Sequence, residues 1–262
     1  MDKKSMIFGI ALSGGGYKGI AHAGILQFLN EQDIFPEIIS GTSAGAIVGG
    51  LYANGKKPKE ILDFFKSVSL FRWSHLSFRK AGFLDADQFA KYLFREFEDK
   101  KIGELAQELY ISATEIEQGK LKIFHKNTPI VPAILASSAF PGVFSPVNID
   151  GRIYSDGGIL NNYPVNTIQG RCDFLIGSNV NPVLIQSPPH FSSIKSVAFR
   201  AFEIMMRQNT FPQNELCDWH IQPEALANYK TFETSKKRMD EIFDIGYQEA
   251  KKSFASIKDK LD

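Results

Sequence analysis

The chain has 262 residues, a net charge of +1 and a mean hydropathy of −0.14. This length supports a large buried core near the upper limit of one domain. We predict a single domain over residues 1–262, with its core motifs in 6–182 and a C-terminal helical part of the same domain in 183–262. The near-zero net charge argues against a nucleic-acid partner. Two cysteines, Cys172 and Cys217, form neither a disulfide framework nor a zinc motif.

Short apolar runs alternate with amphipathic stretches, which predicts an α/β fold with a mostly parallel central sheet. The predicted strands are residues 6–12, 37–40, 109–114, 120–125 and 173–179. The predicted helices are residues 17–31, 44–54, 58–68, 86–97, 131–139, 193–207 and 235–256. Ligands of such sheets bind at the carboxyl ends of the strands, so the loops after the strands are where a site is expected.

The first strand leads into a glycine cluster, GGGYKG, at residues 14–19. Glycines ahead of a helix let backbone N–H groups converge on a negative oxygen, which predicts an oxyanion hole at Gly14, Gly15 and Gly16. The cluster also satisfies the GxGxxG dinucleotide motif. That motif needs an acidic residue at the end of the second strand, which this chain lacks. A nucleotide-binding module is therefore the weaker alternative.

The second strand leads into GTSAG at residues 41–45, which is a GxSxG pentad. A serine at such a strand-to-helix turn is exposed, lies near the positive end of a helix, and has glycine neighbours that tolerate strained dihedral angles. We predict Ser43 as a nucleophile. The alternative is a glycine-rich turn in which Thr42 or Ser43 caps the helix.

A serine nucleophile needs a base, and Asp156 in YSDGG at 154–158 is the candidate because two glycines after it allow a tight turn against another loop. Asp150-Gly151 lies between two strand-like runs and instead predicts a hairpin turn. The alternative base is a histidine near the C-terminus, as the serine-hydrolase order Ser, Asp, His requires. The chain has five histidines, and the two late ones, His190 and His220, are more typical of surface or packing positions than of a base; the others are His22, His75 and His125.

Four segments, in this order, resemble the patatin-like phospholipase family. They are residues 14–19, 41–45, 136–144 and 156–158, and the resemblance spans residues 6–182. Without the family resemblance, the pattern of residues 136–144 indicates a helix that ends at Pro141-Gly142. This pattern favours a packing role at least as much as a contact with substrate.

The resemblance implies a three-layer α/β/α sandwich with a Ser-Asp dyad of Ser43 and Asp156. It also implies an oxyanion hole at residues 14–16, no cofactor, no metal and no catalytic histidine. Two positions depart from the family pattern. Ser13 stands where many members carry aspartate, and Lys18 stands where plant members usually carry arginine, so the planar guanidinium fork is missing.

The expected function is hydrolysis of the carboxylic ester of a phospholipid, lysophospholipid or related acyl lipid. The alternative is a non-catalytic lipid- or acyl-binding protein that retains the pocket. The N-terminal apolar run is too short for a signal peptide or a membrane span. A cytoplasmic enzyme is therefore expected, with any membrane contact peripheral, and the sequence does not define its oligomeric state.

Residues 64–97 are rich in aromatic side chains with basic residues between them. Phe89, Leu93 and Phe97 recur at helical spacing, which predicts that the segment from Phe89 to Phe97 belongs to the core. The preceding segment, Phe71 to Phe83, is predicted as a mobile, substrate-facing cap that touches a lipid surface. The alternative is that this whole stretch is ordinary core packing.

Overall fold

The computed structural model describes residues 6–68, 86–182, 193–233 and 235–261. Within these ranges a single sheet contains eight strands. The strands are β1 (Phe8–Leu12), β2 (Ile38–Thr42), β3 (Glu108–Glu115), β4 (Lys120–Phe124), β5 (Val147–Ile149), β6 (Arg152–Asp156), β7 (Phe174–Ser178) and β8 (Trp219–Ile221).

Eight α-helices in the same ranges connect or follow these strands. They are α1 (Ile20–Glu31), α2 (Ala44–Ala53), α3 (Pro58–Ser67), α4 (Ala86–Phe97), α5 (Ile130–Ser137), α6 (Gly158–Asn161), α7 (Ile194–Thr210) and α8 (Lys236–Phe254).

Every predicted strand and helix is present, with ends that differ by a few residues. The helix predicted from residue 17 begins with a 3-10 turn, Gly16–Gly19, before α1. The hairpin predicted at Asp150-Gly151 is confirmed as the turn between β5 and β6. Helix α6 is not among the predicted helices, because a helix of four residues is too short to show a periodic pattern.

The sheet order is β5-β6-β3-β2-β1-β7-β8, with β4 also paired to β3. Strands β3, β2, β1, β7 and β8 are parallel, whereas β4, β5 and β6 form the antiparallel part. Thr42 pairs with Ser112 on β3, and the next β3 residue, Ala113, pairs with Asp156. The antiparallel strand β6 therefore ends beside the end of β2.

Both faces of the sheet are buried, as the predicted three-layer arrangement requires. Ile10 and Leu12 point into the larger core cluster, whereas Ala11 between them points into a second cluster on the other face. The second cluster includes Tyr163 and Ile168 from the segment after α6.

The C-terminal helix α8 packs along α1. The ring of Phe28 makes edge contacts with Tyr247 and Phe254 at centroid distances of 5.8 and 5.3 Å. Among the helices in the described ranges, none has both the length and the apolar character that crossing a bilayer requires. That the whole chain forms one domain stays a prediction.

Candidate active site

Ser43 lies on a strained turn between β2 and α2. Its φ of 53° and ψ of −118° fall outside the regions that residues with a Cβ ordinarily adopt. It is the one residue of 38–53 that is not buried. A Cβ on Gly45 would lie 2.2 Å from the carbonyl oxygen of Leu12, so the turn packs too closely on β1 for any larger residue. The backbone therefore presents the Ser43 hydroxyl outward at the end of the sheet.

Asp156 ends β6 and is only 2 % exposed. Its Oδ1 accepts a hydrogen bond from the N–H of Gly158 at 2.7 Å. Its Oδ2 is buried and makes no hydrogen bond of ordinary geometry with any described residue. Burial raises the pKa of Asp156 to about 6, opposed by the Gly158 N–H and by the Ser43 hydroxyl, which approaches the carboxylate. An oxygen that is desolvated and unpaired beside a serine hydroxyl is suited to accept a proton from it.

The end of α5 and the residues after it contact both the Ser43 turn and the end of β6 at Asp156. Ser137 Oγ accepts the N–H of Ser43 at 2.8 Å and donates to the carbonyl of Ser112 at 2.6 Å. The Ala139 carbonyl accepts the N–H of Asp156 at 3.0 Å. The sequence pattern of residues 136–144 gave no reason to single out Ser137, because this role appears only when the loops are brought together.

The glycine loop after β1 borders the same cavity as Ser43 and Asp156. Gly15 and Gly16 border the cavity next to Ser43, and their N–H groups donate to no described residue. Gly16 has a φ of +58°, and a Cβ there would lie 2.3 Å from the carbonyl oxygen of Thr231. Gly14 differs, because its N–H already donates to the carbonyl of Asn162 at 2.9 Å. The oxyanion hole at Gly14, Gly15 and Gly16 stays a prediction, in which Gly15 and Gly16 have the N–H groups that remain without a described partner.

His22 supports this loop from behind. Its Nε2 lies 2.9 Å from the carbonyl oxygen of Ser13, and its Nδ1 lies 2.6 Å from Ser178 Oγ. Burial lowers the pKa of His22 to about 4, so the ring is neutral, with one nitrogen donating and the other accepting. Ser13 Oγ in turn accepts the N–H of Val180 at 3.0 Å. These bonds fix the start of the glycine loop.

No histidine in the described ranges hydrogen bonds to Ser43 or Asp156. His220 Nδ1 lies 2.9 Å from the hydroxyl of Tyr163, and burial lowers the His220 pKa. His125 stacks on Tyr110 at a centroid distance of 4.2 Å. His75 and His190 lie outside the described residues.

A cavity of about 280 Å³ opens over Ser43 and Asp156. Two more buried side-chain oxygens on its wall, Ser138 Oγ and Asn214 Oδ1, have no hydrogen-bond partner among the described residues. Buried polar atoms are normally paired, so these unpaired atoms indicate a ligand with polar groups. The apolar part of the wall includes Ile47, Phe64, Phe65, Val68, Phe89 and Phe144.

The prediction for the aromatic stretch is confirmed in part. Phe89, Leu93 and Phe97 are buried as predicted, although Phe89 also lines the cavity and Phe94 is 46 % exposed. The predicted cap residues Phe71, Trp73, Phe78 and Phe83 lie outside the described residues.

Lys18 also lines the cavity and is buried. Burial lowers the pKa of Lys18, and the charge of Glu203 on α7 opposes this shift. Elsewhere, both cysteines are free thiols. Within the described ranges, no group of three or more His, Cys, Asp or Glu side chains is arranged to hold a metal ion.

The family model of the patatin-like phospholipases matches residues 10–168. The chain belongs to the patatin-like phospholipase family.

Its relatives include lysophospholipase nte1 of Emericella nidulans, 27 % identical over 95 % of this chain and 18 % of that protein. An uncharacterized NTE family protein of Mycobacterium bovis is 34 % identical over 66 % of this chain and 48 % of its own length. The chain thus spans less than half of either relative. The crystal structure of VipD from Legionella pneumophila matches 97 % of this chain and 67 % of that one, with a TM-score of 0.62 and 17 % identity, which supports the fold.

Proposed function

We propose that this protein is a serine esterase that hydrolyses the carboxylic ester of a phospholipid, lysophospholipid or related acyl lipid. The observation that carries the proposal is that a strained serine and a desolvated carboxyl lie next to each other. Ser43 is held at a positive φ, and it faces the buried Asp156 carboxyl, whose Oδ2 has no ordinary hydrogen-bond partner in the described structure. Family membership and a relative named as a lysophospholipase support the substrate class.

In the proposed reaction, Ser43 Oγ attacks the acyl carbonyl carbon while Asp156 takes the hydroxyl proton. The carbonyl oxygen becomes negative and accepts hydrogen bonds from the N–H groups of Gly15 and Gly16. The tetrahedral intermediate then collapses, and the departing alcohol takes the proton from Asp156. Water attacks the acyl-enzyme, giving its proton to Asp156, and the fatty acid leaves as Ser43 recovers its proton.

The apolar wall is suited to the acyl chain of such a substrate. Phe64 and Phe65 from α3 and Phe89 from α4 supply rings there, and burial of an acyl chain against them gains about 0.8 kcal/mol per methylene. The polar groups on the rest of the wall, including Lys18 and Asn181, are then available to the head group.

Turnover of a p-nitrophenyl acyl ester tests the proposal against the non-catalytic alternative. We expect the wild type to turn over the ester and Ser43→Ala to abolish it without loss of folding. Mass spectrometry of the products released from a mixed lipid extract then identifies the ester that is cleaved. A folded wild type that binds acyl lipids but releases no product would make the protein a binding protein.

A further inference from the structure

Helix α7 has two faces of opposite character, and the inner one belongs to the site. Arg200, Glu203, Met206, Arg207 and Thr210 line the cavity. On the same helix, Asn209 Oδ1 accepts the N–H of Asn162 at 3.2 Å, and its Nδ2 reaches the Ile159 carbonyl at 3.3 Å. Because α6 begins two residues after Asp156, these bonds anchor α7 next to the proposed base.

The outer face of α7 is apolar and exposed. Ile194, Val197, Ala201 and Ile204 recur at intervals of three and four residues, and all are exposed. Ala198 and Met205 extend the same face, and Met205 is 62 % exposed. We call these six residues the α7 outer face. A helix on a water-exposed surface normally carries polar side chains there, so an apolar face of this kind marks a contact surface.

The concentration of apolar residues on this helix is unusual for the protein. Of the ten large apolar side chains that are exposed in the described ranges, five lie between Ile194 and Phe211. Phe211 itself is 64 % exposed and also borders the cavity. It therefore makes the exposed apolar surface continuous with the cavity wall.

We propose that the α7 outer face is the surface by which the protein docks onto a lipid bilayer or micelle. This inference rests on the proposed function, because it explains how an acyl chain leaves a lipid aggregate and enters the cavity. Docking through this face brings Phe211 and the cavity mouth to the lipid, so the chain need not cross water. Arg207, which is exposed and lies on the cavity wall one turn before Phe211, places a positive charge beside this surface, where it suits an anionic lipid head group.

The test compares two triple variants with the same number of exposed apolar side chains removed. The first replaces Val197, Ile204 and Met205 by serine on the α7 outer face. The matched control replaces Phe35, Ile116 and Leu121 by serine, which are exposed elsewhere. Each is measured for co-sedimentation with mixed vesicles of phosphatidylcholine and phosphatidylglycerol, and for turnover of p-nitrophenyl butyrate below its aggregation limit.

We expect the α7 variant to bind vesicles at least about tenfold more weakly than the wild type, because three apolar side chains that would insert into the lipid are lost. The control should bind as the wild type does. Turnover of the soluble ester should stay within about twofold in both variants, since neither touches the residues around Ser43. Ser43→Ala should still bind vesicles, so docking and catalysis are scored separately.

Equal vesicle binding by the wild type and the α7 variant would overturn the proposal, and so would a wild type that binds no vesicles. A change of oligomeric state in the α7 variant, with vesicle binding unchanged, would assign the face to a second copy of the chain instead. If the soluble ester is never turned over but vesicle binding follows the α7 outer face, the proposed function fails and the docking surface survives.

Discussion

The dipeptide Asp-Gly occurs at both ends of β6, in two environments that make opposite use of the carboxylate. Asp150 and Gly151 form the hairpin turn before the strand, with φ of 51° and 80°, and Asp150 is exposed. Asp156 and Gly157 end the strand, and Asp156 is buried against the Ser43 loop. A turn needs only the backbone conformation of its aspartate, whereas a base needs a carboxylate deprived of water.

The largest effect should come from exchanging each aspartate for asparagine. Asp156→Asn should lower ester turnover by about three to four orders of magnitude, because the amide cannot accept the Ser43 proton. Asp150→Asn should change turnover by less than about twofold, since asparagine also suits this turn. Steady-state kinetics with a soluble ester measures both, and equal losses in two folded variants would mean that the base is wrongly chosen.

The second prediction concerns the glycine loop. Gly16→Ala should lower turnover by about two orders of magnitude, because the added Cβ meets the Thr231 carbonyl oxygen and displaces the oxyanion donors. Gly119→Ala is the matched control, since Gly119 has a similar φ of +63° but nothing within 4 Å of its added Cβ. If the two variants lose turnover equally, backbone strain alone explains the effect and the loop holds no oxyanion.

The third prediction is a pH dependence set by Asp156. Its pKa of about 6 means that the carboxylate, the form that accepts the proton, is lost as the pH falls through that value. The kcat/KM for a soluble ester should fall about tenfold per pH unit below about pH 6 and be level above it. A profile that stays flat to about pH 4 would contradict a carboxylate base of this pKa.

The smallest effect is on stability, and it has the opposite direction to the effect on activity. Burial raises the pKa of Asp156 from 3.8 to about 6, so the folded protein binds more protons than the unfolded chain between these values. The contribution of Asp156 to stability therefore falls as the pH rises through this window, by on the order of 3 kcal/mol once the carboxylate is fully charged.

Asp156→Asn removes this cost. Its free energy of unfolding should exceed that of the wild type by on the order of 3 kcal/mol at about pH 8, and by much less near pH 4. Urea unfolding at the two pH values measures the difference. Asp150→Asn serves as the control, because its exposed side chain has no burial to relieve. A gain for Asp156→Asn that does not depend on pH would show that desolvation of the carboxylate is not its source.

The same contrast between local pattern and tertiary contact explains which features the sequence could predict. The conformations of the turn at residues 41–45 and of the hairpin at Asp150 are set by neighbours in the chain, so the local sequence pattern is sufficient to predict them. The N–H of Gly14 donates to the carbonyl of Asn162, which is distant in sequence, so no local pattern could reveal this bond. Likewise, Ser137 Oγ accepts the N–H of Ser43, a contact between residues that are distant in sequence.

Helix α7 shows a second limit of prediction from a sequence pattern. Residues 193–207 were predicted as a helix, and the helix is present, extending to Thr210. Its periodicity alone does not reveal that the apolar stripe faces outward, because a stripe that packs on the core and one that contacts lipid have the same spacing. Only the position of the cavity on the opposite face separates the two.

The most direct test of the Ser-Asp pair is the rate at which a fluorophosphonate labels the protein, with the labelled peptide identified by mass spectrometry. We predict one adduct, on Ser43, that forms about a hundredfold or more slowly in Asp156→Asn and at the wild-type rate in His220→Ala. Labelling at another residue, or a His220→Ala variant that is as slow as Asp156→Asn while both remain folded, would contradict the account.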